Sequence, residues 1–274
     1  MENSKIQKNS VKSADGTVIG YYSLGNGPGL VMVHGSLRSA ADYKVLGECL
    51  ASNYRVHIVN RRGRDNSGPQ GSNYSFEKEV EDVIAVSNKT KSSLLFGHSY
   101  GGTVALEVAL TGYPLQRLAV YEPAISIENS IPIHTLPDIW DALKAEDDKK
   151  AFAGIMNVVS NGTVPENQLP DFALAMSRYP EWPYLCSLLG TVPAEIIAVH
   201  NADNGYPKYG TIKTPVLFLH GSKSPLHLAK QTGLLAQVLP QSHTIQIDGA
   251  RHSGPDIDAP LAIANELKDW FAQQ

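Results

Sequence analysis

The chain has 274 residues, of which 42% are hydrophobic, and a formal net charge of −4 at pH 7. This length and composition predict one large hydrophobic core, as in single-domain α/β enzymes. The charge balance and the lack of a long Lys/Arg cluster argue against nucleic acid or an anionic membrane as a partner.

The sequence also lacks the patterns of an exported, membrane-bound or metal-binding protein. No apolar region follows the charged residues near the start, and no run of about 18 consecutive apolar residues occurs. Cys49 and Cys186 lie too far apart in sequence to suggest a disulfide framework or a metal-ligand spacing. There is no P-loop and no dinucleotide-binding fingerprint. We therefore expect a cytoplasmic protein that needs no metal or cofactor.

Eight predicted strands follow one another along the chain. Residues 6–13 and 17–24 alternate partly between polar and apolar side chains, and the Asp15–Gly16 pair between them favours a tight hairpin. Six further runs are mostly apolar, which is typical of strands that are covered on both faces. These runs are residues 30–33, 56–59, 93–96, 118–121, 216–219 and 244–247.

Helical patterns lie between several of these runs, at residues 40–51, 75–87, 101–111, 226–239 and 260–271. Strands that alternate with helices form βαβ units with right-handed crossovers. The sequence therefore predicts an α/β fold with a mostly parallel central sheet of about eight strands, flanked by helices.

One connection is much longer than the others. The segment between Glu122 and Lys213 contains several helix-like pieces, and its length indicates an inserted subdomain. We interpret residues 124–210 as a helical lid between strands 6 and 7, and residues 1–123 and 211–274 as the core. Four large apolar side chains of the lid are candidates for the wall of a substrate pocket. They are Trp140, Met156, Met176 and Trp182.

The sequence Gly-His-Ser-Tyr-Gly at 97–101 joins a predicted strand to a helix of small residues. It has the G-x-S-x-G pattern of a nucleophile elbow, in which glycines flank a turn too sharp for side chains. Such a turn exposes Ser99 at the C-terminal edge of the sheet, over a helix N-terminus that favours developing negative charge. We predict that Ser99 is the nucleophile of a serine hydrolase.

A second loop, His34-Gly35-Ser36, directly follows the first long apolar run. The intermediate of acyl transfer carries negative charge on oxygen, and each preset donor to that oxygen contributes about 10²–10³ in rate. We assign the backbone N–H groups of Ser36 and Tyr100 to this oxyanion hole. His34 is expected to fix the loop by hydrogen bonds rather than to transfer a proton.

His252 is the preferred general base among the nine histidines. It lies between the last apolar run and the final predicted helix, which places it at the same sheet edge as Ser99. Imidazole titrates near neutrality, so it can take the serine proton and pass it to the leaving group. The other histidines fall within strands, helices or the loop motifs described above.

In their order, these motifs resemble the α/β-hydrolase family over nearly the whole chain. The turn at 60–67 is similar to the family pattern Asp-x-Arg-Gly-x-Gly-x-Ser, with Asn60 in place of the aspartate and Asp65 in place of a glycine. The resemblance implies the α/β-hydrolase fold. It also implies a catalytic triad in the chain order serine, acid, histidine.

The acid departs from the usual family pattern. Most members carry an aspartate after the strand that here is 216–219, but this chain has Ser224 at that position. Some members place the acid one strand earlier, which implies Glu122 as the partner of His252. Asp248 stays as the alternative, although it is so close to His252 in sequence that it would have to fold back.

The resemblance also limits the reaction. Dehalogenases and epoxide hydrolases of this fold use aspartate at the elbow, so Ser99 argues against both. We expect hydrolysis of a carboxylic ester or lactone of a small, mainly hydrophobic substrate through an acyl-enzyme. An amidase or peptidase would need a charged anchor in the lid, and the sequence supplies none that is visible.

Two other interpretations stay open. Cofactor-free perhydrolases or haloperoxidases and C–C hydrolases use the same three residue types. A ligand receptor without efficient turnover is also compatible with the missing aspartate. The expected partner is a small-molecule substrate, and the expected assembly is a monomer or a homodimer.

Overall fold

The computed structural model describes residues 6–273, which contain one sheet of eight strands. The strands are β1 Gln7–Lys12, β2 Val18–Leu24, β3 Gly29–Val33, β4 Arg55–Val59, β5 Leu94–His98, β6 Arg117–Tyr121, β7 Val216–Gly221 and β8 Ser242–Ile247. Their order in the sheet is β1-β2-β4-β3-β5-β6-β7-β8. β2 pairs antiparallel with both β1 and β4, and the other neighbouring pairs are parallel. The predicted mostly parallel sheet is therefore confirmed.

Five helices belong to the same part of the chain as the sheet. They are α1 Lys44–Leu50, α2 Phe76–Thr90, α3 Tyr100–Leu110, α9 Leu226–Val238 and α10 Pro260–Phe271. Leu30 and Met32 share a buried core with side chains of α1 and α10. Because side chains alternate along a strand, Val31 and Val33 point to the opposite face, and α2 and α3 contact β3. Cover on both faces explains why the central strands are almost wholly apolar.

Five further helices lie between β6 and β7. They are α4 Leu136–Lys144, α5 Asp148–Val159, α6 Leu169–Met176, α7 Trp182–Leu189 and α8 Val192–Asn201. α5 contacts each of the other four helices. Their buried apolar side chains, among them Ile139, Phe152 and Leu189, form a local core.

The chain divides into two compact units. One contains the sheet, runs to Ala124 and resumes at Tyr206, and the other is Ile125–Gly205. The second boundary falls five residues before the sequence-based boundary at 210, because Tyr209 and Lys208 both bind Glu107 of α3, at 2.6 and 2.7 Å. A lid function for the second unit stays a prediction.

The first helix begins later than the sequence pattern indicates. Residues Ala40–Tyr43 form a 3-10 turn, and α1 starts only at Lys44. The turn is capped by Ser39, whose hydroxyl accepts from the Ala41 N–H, while the Asp42 carboxylate accepts from the Ser39 N–H. This capping box supports the tighter turn.

Between Ile6 and Gln273, no single helix is long and apolar enough to cross a membrane. α7 and α8 reach the required length and composition only as a pair that is bent by 51°.

The register of the parallel strands brings four chain segments to one edge of the sheet. His98 pairs with Tyr121, Tyr121 with Leu219, and Gly221 with Ile247. The segments that follow β5, β6, β7 and β8 therefore start at similar heights. Ser99, Glu122, the loop after Gly221 and the loop that contains His252 all begin there.

Candidate active site

Ser99 lies in a sharp turn between β5 and α3. Its backbone has φ 54° and ψ −123°, a conformation that side-chain-bearing residues rarely adopt, and it caps the N-terminus of α3. Its carbonyl oxygen accepts from the N–H groups of Gly102, Thr103 and Ala124. These bonds hold the turn in its unfavourable conformation.

Glycine is required on both sides of Ser99 for steric reasons. A Cβ at Gly97 would lie 2.3 Å from the carbonyl oxygen of Gly101, and a Cβ at Gly101 would lie 2.4 Å from the carbonyl oxygens of Val33 and His34. Both distances are far below van der Waals contact. Both glycines of the G-x-S-x-G pattern are therefore needed because other backbone segments lie too close for a side chain.

Gly97→Ala is expected to lower the free energy of unfolding by ~3 kcal/mol, because the backbone of α3 must move to make room for the methyl group. Gly233→Ala is the matched control, since a Cβ at this position in α9 meets no heavy atom within 4 Å. This control is expected to gain up to ~1 kcal/mol from helix propensity. Urea denaturation of both variants measures the difference, and similar unfolding midpoints would contradict it.

Ser99, His252 and Glu122 form one chain of hydrogen bonds. His252 Nε2 lies 3.1 Å from Ser99 Oγ, and His252 Nδ1 lies 2.7 Å from Glu122 Oε2. A carboxylate only accepts hydrogen bonds, so Nδ1 carries the proton and Nε2 can accept from the serine hydroxyl. The structure thus brings these three predicted residues together.

Glu122 is fully buried and held on both of its oxygens. Oε1 accepts from the Gly221 N–H at 2.8 Å, and Oε2 faces His252. Its own N–H donates to the Leu219 carbonyl, and its φ of 44° turns the chain sharply after β6. The acid that follows β6 is therefore anchored to the backbone of β7.

The alternative acid, Asp248, is engaged elsewhere. Its Oδ1 accepts from the Ser222 hydroxyl at 3.1 Å, and Ser222 Oγ accepts from the Gly249 N–H at 2.8 Å. These bonds join the loops after β7 and β8. The His252 ring makes its carboxylate contact with Glu122.

The loop that carries His252 is held by a hydrogen bond from β6 and by an ion pair. The buried Tyr121 hydroxyl donates to the Arg251 carbonyl at 2.7 Å. Residues Gly254–Asp258 form a single π-helical turn, and Asp256 in this turn pairs with Arg38 at 2.5 Å. This ion pair links the His252 loop to the segment that follows Ser36.

The loop at 34–36 approaches Ser99 closely. A Cβ on Gly35 would lie 3.0 Å from Ser99 Cβ, so only glycine allows this approach. The Gly35 carbonyl oxygen accepts from His34 Nδ1 at 2.8 Å and from Arg61 Nη1 at 3.3 Å. Because a trans peptide directs its N–H opposite to its carbonyl, these bonds also set the direction of the Ser36 N–H. A role of the Ser36 and Tyr100 N–H groups in an oxyanion hole stays a prediction.

His34 has the structural role that the sequence indicated. Its Nε2 accepts from the Arg61 N–H at 3.2 Å, so the proton of the ring lies on Nδ1 and is donated to Gly35. Complete burial, reinforced by nearby arginines, lowers the pKa of His34 well below its ordinary value. The ring is therefore neutral.

A second neutral histidine lies beside the proposed base. The His98 ring centroid is 4.8 Å from that of His252. Burial lowers the pKa of His98 well below its usual range, and the nearby His252 lowers it further. His98 Nδ1 hydrogen-bonds the buried Tyr43 hydroxyl, which also accepts from the Gly35 N–H. The neighbour of His252 thus adds no positive charge to the site.

A third histidine, His227, lies at the start of α9. Partial burial lowers the pKa of His227, and repulsion by His252 lowers it further. Glu122 has the opposite, smaller effect. No pattern in the sequence connects this residue with the site.

The four predicted pocket residues all belong to the second unit, Ile125–Gly205. Trp182 packs edge to face on Phe152, with ring centroids 5.5 Å apart. Trp140 is 38% exposed, and Met156, Met176 and Trp182 are half-buried. Their assignment to a substrate pocket stays a prediction.

Residues 6–273 contain no group of three or more His, Cys, Asp or Glu side chains that could hold a metal ion.

Sequence reasoning missed the residues that hold the site in place. Gly221, Tyr43, Arg61 and the pair of Arg38 with Asp256 all contact site residues or the loops that carry them. Gly221 has a signal in the sequence, because it lies two residues after an apolar run. The contacts of the others depend on tertiary packing.

Comparison with known sequences gives a match to one family over most of the chain. A model described as the alpha/beta hydrolase family matches residues 30–266. A pimeloyl-[acyl-carrier protein] methyl ester esterase of Aeromonas salmonicida is 41% identical over 88 residues, or 32% of this chain and 34% of that protein. The corresponding protein of Aliivibrio fischeri is 37% identical over 87 residues, or 32% of this chain and 33% of its own length. The chain thus matches these curated relatives over about a third of their length.

Solved structures resemble nearly the whole chain. An alpha/beta hydrolase from Sphaerobacter thermophilus has a TM-score of 0.85 at 29% identity, covering 96% of this chain and 100% of its own. An esterase from Rhodococcus sp. ECU1013 has a TM-score of 0.68 at 24% identity, covering 97% and 98%. An enol-lactonase from Burkholderia xenovorans LB400 has a TM-score of 0.72 at 18% identity, covering 97% and 100%. The last two show likeness of fold alone.

Proposed function

Because the chain belongs to the alpha/beta hydrolase family, we propose that it hydrolyses a carboxylic ester or lactone of a small, mainly hydrophobic substrate, with Ser99 as the nucleophile. The observation that carries the proposal is the hydrogen-bond chain from Ser99 Oγ through His252 to Glu122, with distances of 3.1 and 2.7 Å. This is the arrangement that activates a serine hydroxyl for acyl transfer.

In the first half of the reaction, Ser99 Oγ attacks the ester carbonyl carbon while His252 Nε2 takes the hydroxyl proton. The tetrahedral intermediate then collapses, the bond to the leaving alcohol breaks, and His252 returns the proton to that oxygen. Glu122 keeps His252 in the tautomer that can accept at Nε2 and stabilises the imidazolium that forms. In the second half, a water activated by His252 attacks the acyl group and restores Ser99.

The negative oxygen of the intermediate needs hydrogen-bond donors. The backbone N–H groups of Ser36 and Tyr100 are the proposed donors. A Cβ at Gly35 would lie only 3.0 Å from Ser99 Cβ, and this close approach of the loop supports the first assignment. The position of Tyr100 as the first residue of α3 supports the second, since N–H groups at a helix start point toward the site.

The ester substrate class is supported by the similar proteins. The relatives from Aeromonas and Aliivibrio are named as methyl ester esterases, and their similarity covers about a third of each protein. Our proposal keeps four large apolar side chains of the second unit as the predicted binding residues for a mainly hydrophobic acyl or alcohol group. These are Trp140, Met156, Met176 and Trp182.

A two-part assay tests the proposal. A fluorophosphonate is expected to modify the protein, with the modified peptide mapping to Ser99. Purified protein is expected to hydrolyse p-nitrophenyl esters of graded chain length or simple lactones. Turnover limited to peroxide-dependent bromination, or to cleavage of a C–C bond, would replace the ester assignment. Ligand binding without labelling or turnover would indicate a receptor and overturn the proposal.

A further inference from the structure

We propose that Arg61 is a positioning residue that holds both proposed oxyanion donors in one rigid unit, an inference that rests on the function proposed above. Arg61 is fully buried and contacts the Gly35–Ser36 peptide on one side and the ring of Tyr100 on the other. The Ser36 N–H belongs to that peptide, and the Tyr100 N–H belongs to the residue that carries that ring.

The first contact is to the peptide that carries the Ser36 N–H. Arg61 Nη1 donates to the Gly35 carbonyl oxygen at 3.3 Å, and the Arg61 N–H holds His34, which donates to the same oxygen. Two donors on one carbonyl fix the plane of the peptide. They also polarise it, because hydrogen bonds to a carbonyl strengthen the N–H on the other side as a donor.

The second contact is to Tyr100. The Arg61 guanidinium carbon lies 4.4 Å from the centroid of the Tyr100 ring, and Phe76 stacks on this ring at 5.0 Å with an interplanar angle of 12°. The Tyr74 hydroxyl accepts from Arg61 Nη2 at 3.2 Å, donates to Glu79 Oε1 at 2.8 Å and is hydrogen-bonded to the Tyr100 hydroxyl at 2.8 Å. A ring held by stacking and by a hydrogen bond limits the motion of the backbone from which it extends.

Glu79 of α2 neutralises the buried charge of Arg61. Its two carboxylate oxygens accept from Arg61 Nε at 3.2 Å and Nη2 at 3.0 Å, and both side chains are 0% exposed. A buried ion pair of this kind is a poor source of stability, because desolvation offsets most of the attraction. The contacts of Arg61 with the Gly35 carbonyl oxygen and the Tyr100 ring are better explained by a role in fixing geometry.

The adjacent arginine provides a matched control. Arg62 is equally buried and pairs with Asp82 of the same helix at 2.8 Å and with Asp15 at 3.1 Å. Its side-chain partners lie on α2 and in the β1–β2 turn rather than on the loop at 34–36 or on Tyr100. Arg61→Lys and Arg62→Lys each keep a positive charge and remove the planar guanidinium.

The test compares both variants in catalysis and in folding. Arg61→Lys is expected to lower kcat about 10²-fold, the effect of losing alignment at one oxyanion donor, with KM changed by less than about threefold. Binding of an aryl trifluoromethyl ketone, which forms a charged tetrahedral adduct with the serine, is expected to weaken in parallel with kcat. Binding of the corresponding uncharged alcohol is expected to stay the same. Both lysine variants are expected to lower the urea midpoint by similar amounts. Arg62→Lys, in contrast to Arg61→Lys, is expected to leave kcat within about threefold of wild type.

Equal losses of kcat in the two lysine variants, or unchanged kcat in Arg61→Lys, would overturn the proposal. If Arg61→Lys does not fold, Tyr100→Leu decides, because it keeps the backbone N–H and removes the ring that Arg61 contacts. This variant is expected to have a kcat about tenfold lower than wild type and to bind the trifluoromethyl ketone more weakly by a similar factor. Unchanged kcat in Tyr100→Leu would then overturn it. Failure of the proposed function has a different signature, since wild-type protein would then show neither labelling at Ser99 nor ester turnover.

Discussion

Ser99→Ala is expected to lower kcat for ester hydrolysis by about 10⁵-fold, because loss of the nucleophile removes the acyl-enzyme route altogether. The activity that remains would come from binding and from the oxyanion donors acting on water. Fluorophosphonate labelling is expected to disappear in the same variant. The measurement is steady-state hydrolysis of the best p-nitrophenyl ester, together with the size of the pre-steady-state burst.

Ser222→Ala is the control for Ser99→Ala. Ser222 is an exposed serine of the neighbouring loop, where it bonds Asp248 and Gly249 rather than His252. We expect it to keep labelling and kcat close to those of wild type. Retained labelling in Ser99→Ala, or a comparable loss in Ser222→Ala, would remove Ser99 as the nucleophile.

The sequence carries enough information to predict the sheet and the chain order of the three site residues. Apolar runs covered on both faces, glycines at close approaches and a histidine after the last strand are local patterns with local physical causes. The acid was harder to predict, because Ser224 stands where the family usually has aspartate. The resemblance to family members that place the acid one strand earlier implied Glu122, and the pairing of Tyr121 with Leu219 shows that β6 and β7 end at the same edge of the sheet.

The supporting contacts could not be predicted in the same way. Arg38 and Asp256 are separated by 218 positions in sequence, and Arg61 and Gly35 by 26. In sequence an arginine in a polar turn is most simply interpreted as solvated, whereas Arg61 is fully buried. Which partner neutralises a buried charge depends on how the helices pack, and one sequence gives no periodic pattern for that pairing.

The elements that were misplaced by a few residues have local causes. The 3-10 turn at Ala40–Tyr43 depends on a capping box formed with Ser39. α2 extends to Thr90 and stops where Lys91 takes a left-handed conformation with φ 53°. Hydrogen bonds at element ends decide such boundaries, and they are weaker signals than hydrophobic periodicity.

Glu122→Gln is expected to lower kcat about 10⁴-fold, because it favours the tautomer of His252 that carries its proton on Nε2. The Gly221 N–H is a fixed donor to Oε1, so the oxygen of a glutamine amide must take that place. The NH₂ group then faces His252 Nδ1 and donates to it, which moves the ring proton to Nε2. A protonated Nε2 cannot accept the proton of Ser99. Steady-state kinetics with an activated ester measures the loss, and a comparable urea midpoint in wild type and variant separates it from unfolding.

Two further variants distinguish Glu122 from its alternatives. Asp248→Asn is expected to leave kcat within about threefold of wild type, because an asparagine oxygen can still accept from Ser222. Glu122→Asp keeps the charge but is one methylene shorter, so it cannot hold Gly221 and His252 at 2.8 and 2.7 Å at once. We expect its kcat to lie between those of wild type and Glu122→Gln. A large loss in Asp248→Asn together with full activity in Glu122→Gln would transfer the role of the acid to Asp248, despite its separation from the ring in this fold.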